Sequence, residues 1–512
     1  MFVHLDRMDE ETRMGTVQRV TRNAVLLNVA RIISTLGKFF LLIYVARVLG
    51  EAVLGQFTFA IIFTSFFAIV ISLGMDDLLV REVARDTNAS RKYLGNIAVL
   101  RLLLSLAVMV VIVISINVMN YPADTRLAVY IFGGYIVFTA FSFMFRANFR
   151  AFERMEWDAL LEAMEAVVTT VVGLIVILSG YGLVALSLTF LGASILSAAI
   201  AFIVSAWKFT LPRIEVDWEF WKTTVMKAVP FSVFALFILY PRVDTILLST
   251  LKGDAVVGEY NAAYQIVIAF SPLVMNFMIA LVPLLSRYFV SGQTMLTFAY
   301  EKSVKYLVMV GFPTSMGAMV LAPRIIPFLY GDGYGNSVLA LQILAWNCVL
   351  LAMSRPMFYV LGAINRQGTC AVITLAAFAL AIGMNYLVIP AWSYVGSGAT
   401  TLVTGVFVAA AAWYATSRYG FPLRLPRLIV KPMIASLAMG AVLYLTTALA
   451  DINLVLLIAI GTVSYLASLY LVRGFSSDDW FLLRQALRIR SKAQPAQPPE
   501  ARASDLEPES VR

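Results

Sequence analysis

Five basic side chains lie inside long apolar stretches of the sequence, where a charge is costly. They are Arg31, Lys38, Arg101, Arg242 and Arg355. A Lys or Arg at the centre of a membrane helix costs roughly 2.5–3.5 kcal/mol even on mild insertion scales, so such residues usually face a partner or a hydrated cavity. Arginine binds phosphate through its planar fork of donors, and lysine binds it as a point charge. A cavity lined by these residues would favour an anionic, phosphate-bearing substrate.

Lys38 is the cation whose position is hardest to explain without a function. It lies roughly 20 Å along its helix, beyond easy reach of water, and seven residues from Arg31, so the two share one helix face. Arg101 and Arg355 lie within about two turns of a helix end, and the alternative for both is that they extend to water there.

Three acidic residues are candidate coupling or charge partners: Asp244, Glu162 and Glu165. Asp244 lies close to Arg242, so a plain ion pair is the alternative to substrate binding for that arginine. Glu162 and Glu165 lie near one end of their apolar stretch, where a hydrated helix end is the alternative to a proton site. Coupling to protons or to sodium ions stays open.

Histidine and cysteine are too rare to support catalysis or a metal centre. The single histidine is His4, and Cys348 and Cys370 fall in or beside apolar stretches. His-based acid–base or metal chemistry within these stretches is therefore excluded, and a structural disulfide is disfavoured. We expect no catalytic residue, no metal site and no cofactor, and a protein that is not an enzyme.

The elements that position these residues are membrane-spanning helices. Apolar residues make up 61% of the 512 residues and charged residues 13%, where soluble domains average roughly 45–50% and ~25%. The apolar blocks of about twenty residues are long enough to cross ~30 Å of hydrocarbon. We predict an all-α integral membrane protein with about fourteen spans, near 24–46, 54–75, 95–118, 127–148, 159–179, 183–206, 228–250, 257–285, 303–323, 337–361, 368–390, 395–417, 429–450 and 453–473.

The basic residues give these spans an orientation. Alternate connecting segments, together with both termini, carry 30 of the 39 Lys and Arg residues and form what we call the basic face. The opposite face carries four: Arg47, Arg126, Lys252 and Arg324. Because positively charged loops resist translocation, the basic face is expected to be cytoplasmic, with both termini on that side of a cell (inner) membrane. The net charge of +9 then reflects orientation, and no nucleic-acid partner is expected.

The chain contains an internal repeat. The stretch 50–57 reads GEAVLGQF with Ala60 beyond it, and 253–260 reads GDAVVGEY with Ala263 beyond it, at a constant offset of 203 residues. The first glycine of each motif permits a tight turn, and the second permits close approach of helices. The same offset places Lys38 one residue from Arg242, so both halves have a cation at nearly the same depth.

The repeat predicts two pseudo-symmetric six-helix lobes, with a site between them, and an additional helix pair outside the repeat. The predicted units are a cytoplasmic leader, the N-terminal lobe, a cytoplasmic amphipathic linker, the C-terminal lobe, the additional helix pair, and a cytoplasmic tail with a short surface helix and then disorder. Their boundaries are 1–23, 24–206, 207–227, 228–417, 418–473 and 474–512.

The stretch 49–57, Leu73-Gly74 and the run Arg-Glu-Val-Ala-Arg at 81–85 resemble the polysaccharide or O-antigen (Wzx-type) flippases. These belong to the multidrug/oligosaccharidyl-lipid/polysaccharide exporter superfamily. The resemblance extends over roughly 20–475 through topology and is sharpest in 40–90. It implies a V-shaped central cavity that opens alternately to each side. It also implies a glycan, linked through pyrophosphate to undecaprenol, that is moved from the cytoplasmic to the outer leaflet for surface polysaccharide biosynthesis (lipopolysaccharide or exopolysaccharide).

Two other functions stay open. A cation-coupled multidrug antiporter of the same superfamily agrees with the topology, but an excess of buried cations opposes it. A membrane enzyme of glycan assembly is less favoured, because all segments on the opposite face are short. The expected partners are a lipid-linked glycan, membrane lipid, and a complex with polysaccharide polymerase or glycosyltransferase machinery.

Overall fold

The computed structural model describes residues 16–278, 281 and 293–474, apart from residue 214. The described chain is helical and contains no strand. This confirms the all-α prediction, and its physical reason is that helices satisfy every backbone hydrogen bond within hydrocarbon. The helices are α1 (Thr16–Ser72), α2 (Met75–Arg85), α3 (Ser90–Val118), α4 (Ala123–Ala151), α5 (Met155–Leu178), α6 (Leu183–Lys208), α7 (Trp218–Leu239), α8 (Val243–Lys252), α9 (Asp254–Ile268), α10 (Gln293–Tyr330), α11 (Gly335–Leu344), α12 (Asn347–Ala363), α13 (Gln367–Arg418), α14 (Leu425–Leu449) and α15 (Leu454–Leu471).

Within the described residues, 11 helical segments are long and apolar enough to cross a membrane. Two of them contain a break and therefore carry two predicted spans each: α1 is interrupted at Gly50 and α13 at Ser393. The predicted seventh span is divided between α7 and α8 by a single turn at Tyr240–Arg242. The count of fourteen thus stays a prediction.

Apolar side chains that point away from the protein mark the surface that meets lipid. Along α3 the exposed Leu102, Leu106, Val110 and Ile114 recur every fourth residue, which places them on one helix face. The other face is buried and carries Arg101. An exposed apolar stripe of this length suits hydrocarbon and not water.

The N-terminal lobe is held together by a cluster of aromatic side chains. Phe57 lies with its ring centroid 5.5 Å from that of Phe132 and 5.4 Å from that of Phe190. Both contacts are edge-on, an arrangement that aromatic pairs favour. The cluster joins α1 to α4 and α6.

The connection between the lobes is shorter than the predicted linker 207–227. Helix α6 ends at Lys208 and α7 begins at Trp218, so the second half of that segment already belongs to α7. Asp217 accepts a hydrogen bond from the backbone N–H of Phe220 at 3.0 Å and lies 3.1 Å from Lys92 Nζ. These contacts lower the pKa of the Asp217 carboxyl, the backbone hydrogen bond being the largest cause. They also fix the start of α7 against the N-terminal lobe.

The additional helix pair packs against the C-terminal lobe through α10. The Tyr465 hydroxyl of α15 donates a hydrogen bond to the Met309 carbonyl of α10 at 2.6 Å. Gly440 of α14 lies where an added Cβ would come within 2.8 Å of Met316 Sδ. The pair is therefore in intimate contact with the lobe. The predicted leader and tail lie largely outside the described residues: α1 begins at Thr16, and the description ends at Gly474.

Candidate functional site at the interface between the lobes

Both copies of the repeated motif turn the chain in the same way. Gly50 has φ 80° and ψ 176°, and Gly253 has φ 90° and ψ 171°. This conformation is open to glycine and strained for other residues, so the first glycine of each motif is needed for the turn. The predicted role of these glycines is confirmed.

The second glycines of the two motifs bring the lobes into direct backbone contact. A Cβ added at Gly55 would lie 1.7 Å from the Asp254 carbonyl oxygen, and one added at Gly258 would lie 1.9 Å from the Glu51 carbonyl oxygen. The two contacts are equivalent under the offset of 203 residues. The two copies of the motif therefore lie on two helices, the second half of α1 and α9. Each helix contacts the other through its glycine in the same way. We call this reciprocal contact the glycine gate.

Polar contacts surround the glycine gate on the opposite face. Arg47 Nε donates to the Leu329 carbonyl at 2.6 Å, and the Tyr334 hydroxyl donates to the Ala46 carbonyl at 3.0 Å. The hydroxyls of Tyr121 and Ser249 lie 2.9 Å apart. All three contacts join the N-terminal to the C-terminal lobe, so the lobes are closed against each other on the opposite face in this conformation.

The break between α7 and α8 places two predicted residues in the core of the C-terminal lobe. Pro241 lies in this turn and lacks the N–H that a continuous helix needs. Arg242 is buried, lies 4.3 Å from the ring centroid of Tyr264 and donates to Asn261 Oδ1 at 2.5 Å. Its Nε is buried and has no hydrogen-bond partner among the described residues.

Asp244 has hydroxyl partners and no ion pair with Arg242 among the described residues. Its carboxylate accepts from the Tyr260 hydroxyl, from Thr245 and, at 3.4 Å, from the Thr401 hydroxyl. A buried carboxylate must be hydrogen-bonded to be tolerated, and these groups supply that. The ion pair between Arg242 and Asp244 that the sequence suggested is thus not formed, and each of the two residues has its own contacts within the described residues.

Arg355 comes close to the same place. It lies on α12 with a half-buried side chain, near enough to Tyr264 to act on it electrostatically. Tyr264 therefore has Arg242 against its ring and Arg355 nearby. Of the five predicted cations, Arg242 and Arg355 are brought together on the C-terminal lobe.

Lys38 lies on the N-terminal lobe and has an exposed side chain. Leu36 and Phe40, both exposed and apolar, are each two residues away, which is about 160° around a helix of 3.6 residues per turn. Lys38 thus projects from a different side of α1 than Leu36 and Phe40 do. Arg31 shares that side by its spacing, and its side chain lies outside the described part of the structure.

Arg101 is fully buried and already has partners within the N-terminal lobe. Its Nη2 lies 2.9 Å from Asp76 Oδ1, and its Nη1 donates to the Ala140 carbonyl. The arginine therefore does not extend to water at the helix end. It joins α2 to α3 and α4, and in this conformation it is not presented to a cavity.

The two predicted glutamates lie near a charge network that the sequence analysis missed. Arg146 is buried between Asp158 and Glu162, with its Nη2 3.0 Å from Glu162 Oε2. Arg150 lies 3.4 Å from Asp158 Oδ2 and extends the network. Glu165 is half-buried and forms no ion pair among the described residues. Arg146 lies inside the predicted span 127–148, and this position was the signal that could have revealed it.

A sequence model described as polysaccharide biosynthesis protein matches residues 20–289, more than half of the chain. The chain belongs to this family. No curated protein sequence matches the chain significantly. The matched residues include 40–90, where the resemblance is sharpest, and continue across the first lobe into the second.

Solved structures establish the fold of this polysaccharide biosynthesis family member. A structure described as lipid II flippase MurJ, inward closed conformation, aligns with a TM-score of 0.75 at 16% identity, covering 88% of this chain and 99% of that one. An inward-facing multidrug resistance MATE family transporter of the MOP superfamily aligns with a TM-score of 0.63 at 18% identity, covering 77% and 98%. An outward-facing structure of a MATE family transporter gives 0.58 at 15% identity, covering 80% and 96%. The chain thus has the fold of this superfamily.

Proposed function

We propose that the protein moves a lipid-linked oligosaccharide from the cytoplasmic to the outer leaflet by alternating access. The glycine gate carries this proposal, because it joins two lobes related by an internal repeat and holds them together on the opposite face. Transporters built from such repeats work by rocking one lobe against the other around a site at their interface. The undecaprenyl-pyrophosphate carrier is the form of substrate that the family resemblance implies.

The charges around the interface favour a phosphate-bearing substrate. Lys38 is accessible on the N-terminal lobe, and Arg242 and Arg355 converge near Tyr264 on the C-terminal lobe. The unpartnered Nε of Arg242 is a buried donor that an incoming phosphate oxygen can satisfy. A pyrophosphate would thus meet cations from both lobes. The similarity to a lipid II flippase supports a lipid-linked cargo.

The proposed setting is the cell inner membrane, with the basic face and both termini in the cytoplasm. The glycine gate then closes the outer side, and the substrate enters from the cytoplasmic leaflet. Polysaccharide polymerase or glycosyltransferase machinery is the proposed partner on the biosynthetic route. If transport is coupled to protons or sodium, Asp244 with its hydroxyl partners is the group that we assign to that coupling.

A cation-coupled multidrug antiporter is the second candidate, favoured by the likeness to MATE transporters. Lipophilic cations favour acids or aromatic rings at the binding site. Asp244 and Tyr264 are such groups, but the cations Lys38 and Arg242 oppose a positively charged substrate. We therefore place the flippase first.

The test is glycan export in a strain whose surface polysaccharide is lost when the gene is deleted. Lys38→Gln and Arg242→Gln, singly and together, should reduce export by at least about tenfold, since a charge-assisted contact contributes about 1.5–3 kcal/mol. Arg418→Gln is the matched control, because this exposed arginine lies on the basic face. Membrane insertion is checked by immunoblotting of membrane fractions.

Two outcomes would count against the proposal. Normal export by the double variant would remove the assignment of the cationic site. Raised tolerance to lipophilic cations on overexpression, without any effect of deletion on surface glycan, would favour the antiporter.

A further inference from the structure

A second site lies at the basic face, away from the interface between the lobes. It is a cavity of about 270 Å³ between the start of α10, the start of α14 and the end of α15. Four basic residues line it: Lys305, Arg427, Lys431 and Arg473. No acidic residue is among its lining residues in the described structure. The lining in the described part of the chain therefore presents basic side chains from all three helices.

The cavity is built by contacts that hold its walls in place. Lys431 Nζ of α14 donates to the Arg473 carbonyl at the end of α15 at 2.7 Å. Arg473 itself has φ 54°, a left-handed conformation that is uncommon for an arginine and directs the chain out of the helix. The buried Pro432 and the hydrogen bond from Tyr465 to Met309 fix the other two walls. The site is thus formed by three helices, with the exposed side chains of Arg427, Lys431 and Arg473 at its edge.

The remaining walls are apolar. Met309, Leu428 and Pro432 line the cavity beside the four cations. An anionic phospholipid combines a phosphate headgroup with apolar acyl chains, and basic pockets between membrane helices at the cytoplasmic side bind such headgroups. The start of α14 and the end of α15 are the basic-face ends of two apolar helices long enough to cross a membrane, where headgroups are expected.

The volume separates this cavity from a site for the transported glycan. Pockets for drug-sized ligands usually measure about 300–1,000 Å³, and 270 Å³ is below that range. A phosphate with its glycerol fits such a volume, whereas a pyrophosphate carrying several sugars does not. The chemistry that the cavity recognises is therefore one phosphate at the membrane surface.

We propose that this cavity binds the phosphate headgroup of an anionic membrane phospholipid and so anchors the additional helix pair to the C-terminal lobe. The bound phosphate would contact basic side chains of the cavity and join α10, α14 and α15 through one headgroup. This role does not depend on the identity of the transported substrate. It gives the helix pair, which lies outside the repeat, a function of its own.

The experiment is native mass spectrometry of the full-length protein in detergent, titrated with phosphatidylglycerol or with phosphatidylcholine. Arg427→Gln/Arg473→Gln removes two cations and keeps the contact from Lys431 to the Arg473 carbonyl. Each Lys or Arg near an anionic surface contributes about 1 kcal/mol, so phosphatidylglycerol should bind about 30-fold more weakly to this variant. Arg418→Gln/Arg424→Gln removes the same charge from exposed positions nearby and should bind as the unmodified protein does.

The other arms of the titration separate the sources of phosphate. Phosphatidylcholine should bind weakly and equally to all variants. Equal competition by inorganic phosphate at low millimolar concentration would identify a free-anion site and overturn the lipid proposal. Equal phosphatidylglycerol binding by both double variants would also overturn it. Phosphatidylglycerol binding that appears only in the variant Asp478→Asn/Asp479→Asn would overturn the proposal as well, because the chain's own tail would then occupy the cavity.

Discussion

At the scale of single residues, the structure separates charges that serve the fold from charges that stay available for a substrate. Arg101 and Arg146 are buried against carboxylates of their own lobe, whereas Lys38 is accessible and Arg242 donates to the neutral amide of Asn261. The spacing of apolar residues shows that an arginine lies within an apolar span. The spacing does not show which residue pairs with that arginine, since Asp76 reaches Arg101 only because α2 folds back after Gly74.

This distinction can be tested at Arg101. Arg101→Gln leaves the Asp76 carboxylate without its buried partner, and breaking such a pair costs about 3–5 kcal/mol. We expect a fall in the thermal unfolding midpoint in detergent, and a smaller fall for Arg101→Gln/Asp76→Asn than the sum of the two single effects. Scanning fluorimetry of the purified protein measures both.

The control for this experiment is Arg213→Gln, which removes an exposed arginine paired with Glu215 at 2.7 Å. Exposed ion pairs contribute about 0–1 kcal/mol, so its midpoint should barely change. An unchanged midpoint for Arg101→Gln, combined with lost export, would instead place Arg101 among the substrate contacts.

At the scale of helices, the repeated motif was the part of the site most open to prediction from sequence. Two glycines at a fixed offset implied two turns and two close approaches, and both are present. The sequence did not imply that the second glycine of each motif approaches a backbone carbonyl oxygen of the other motif. That pairing depends on the path of whole helices, which hydropathy does not encode. The break between α7 and α8 was signalled by Pro241, whereas the separate partners of Arg242 and Asp244 were not.

The glycine gate predicts a specific defect for small substitutions. Gly55→Ala and Gly258→Ala would each place a methyl group within 2 Å of a backbone oxygen of the other lobe, which cannot move aside. Overpacking of this kind costs about 1–3 kcal/mol, so we expect the closed state to fall about 5- to 150-fold in relative population and export to slow. Glycan export and protein level are measured in the same cells.

Gly383→Ala provides the comparison for the gate variants. A Cβ at this helical glycine of α13 meets no atom within 4 Å. Because alanine favours helix over glycine, this variant should fold and export normally. Equal export by Gly55→Ala, Gly258→Ala and Gly383→Ala would mean that the glycine gate does not have to close during transport.

At the scale of the whole molecule, the two lobes are closed together on the opposite face. The closing contacts are the glycine gate and the hydrogen bonds around it, and they lie within a continuous buried apolar cluster that contains residues of both lobes, among them Phe57 and Val257. Opening this face therefore exposes apolar surface, and closing of the other face has to offset that cost. Rocking of rigid lobes then requires that opening on one face accompanies closing on the other.

Pairs of spin labels on the two faces can test this coupling. Tyr181 and Trp392 are exposed on the opposite face, one in each lobe, and Thr87 and Gln367 are exposed on the basic face in the same arrangement. Labels are attached at cysteines introduced in each pair, after replacement of the free Cys348 and Cys370. Electron–electron double resonance gives the distance distribution for each pair in lipid nanodiscs.

Rigid-lobe rocking predicts opposite changes in the two distances. Gly55→Ala/Gly258→Ala weakens closure of the opposite face, so the 181–392 distance should lengthen and the 87–367 distance should shorten relative to the parent protein. Gly383→Ala should leave both distributions unchanged. If the gate variant lengthens the first distance without shortening the second, the lobes are not coupled as rigid bodies. Opening of the outer side would then arise from local movement of α1 and α9, and alternating access would need a different structural basis.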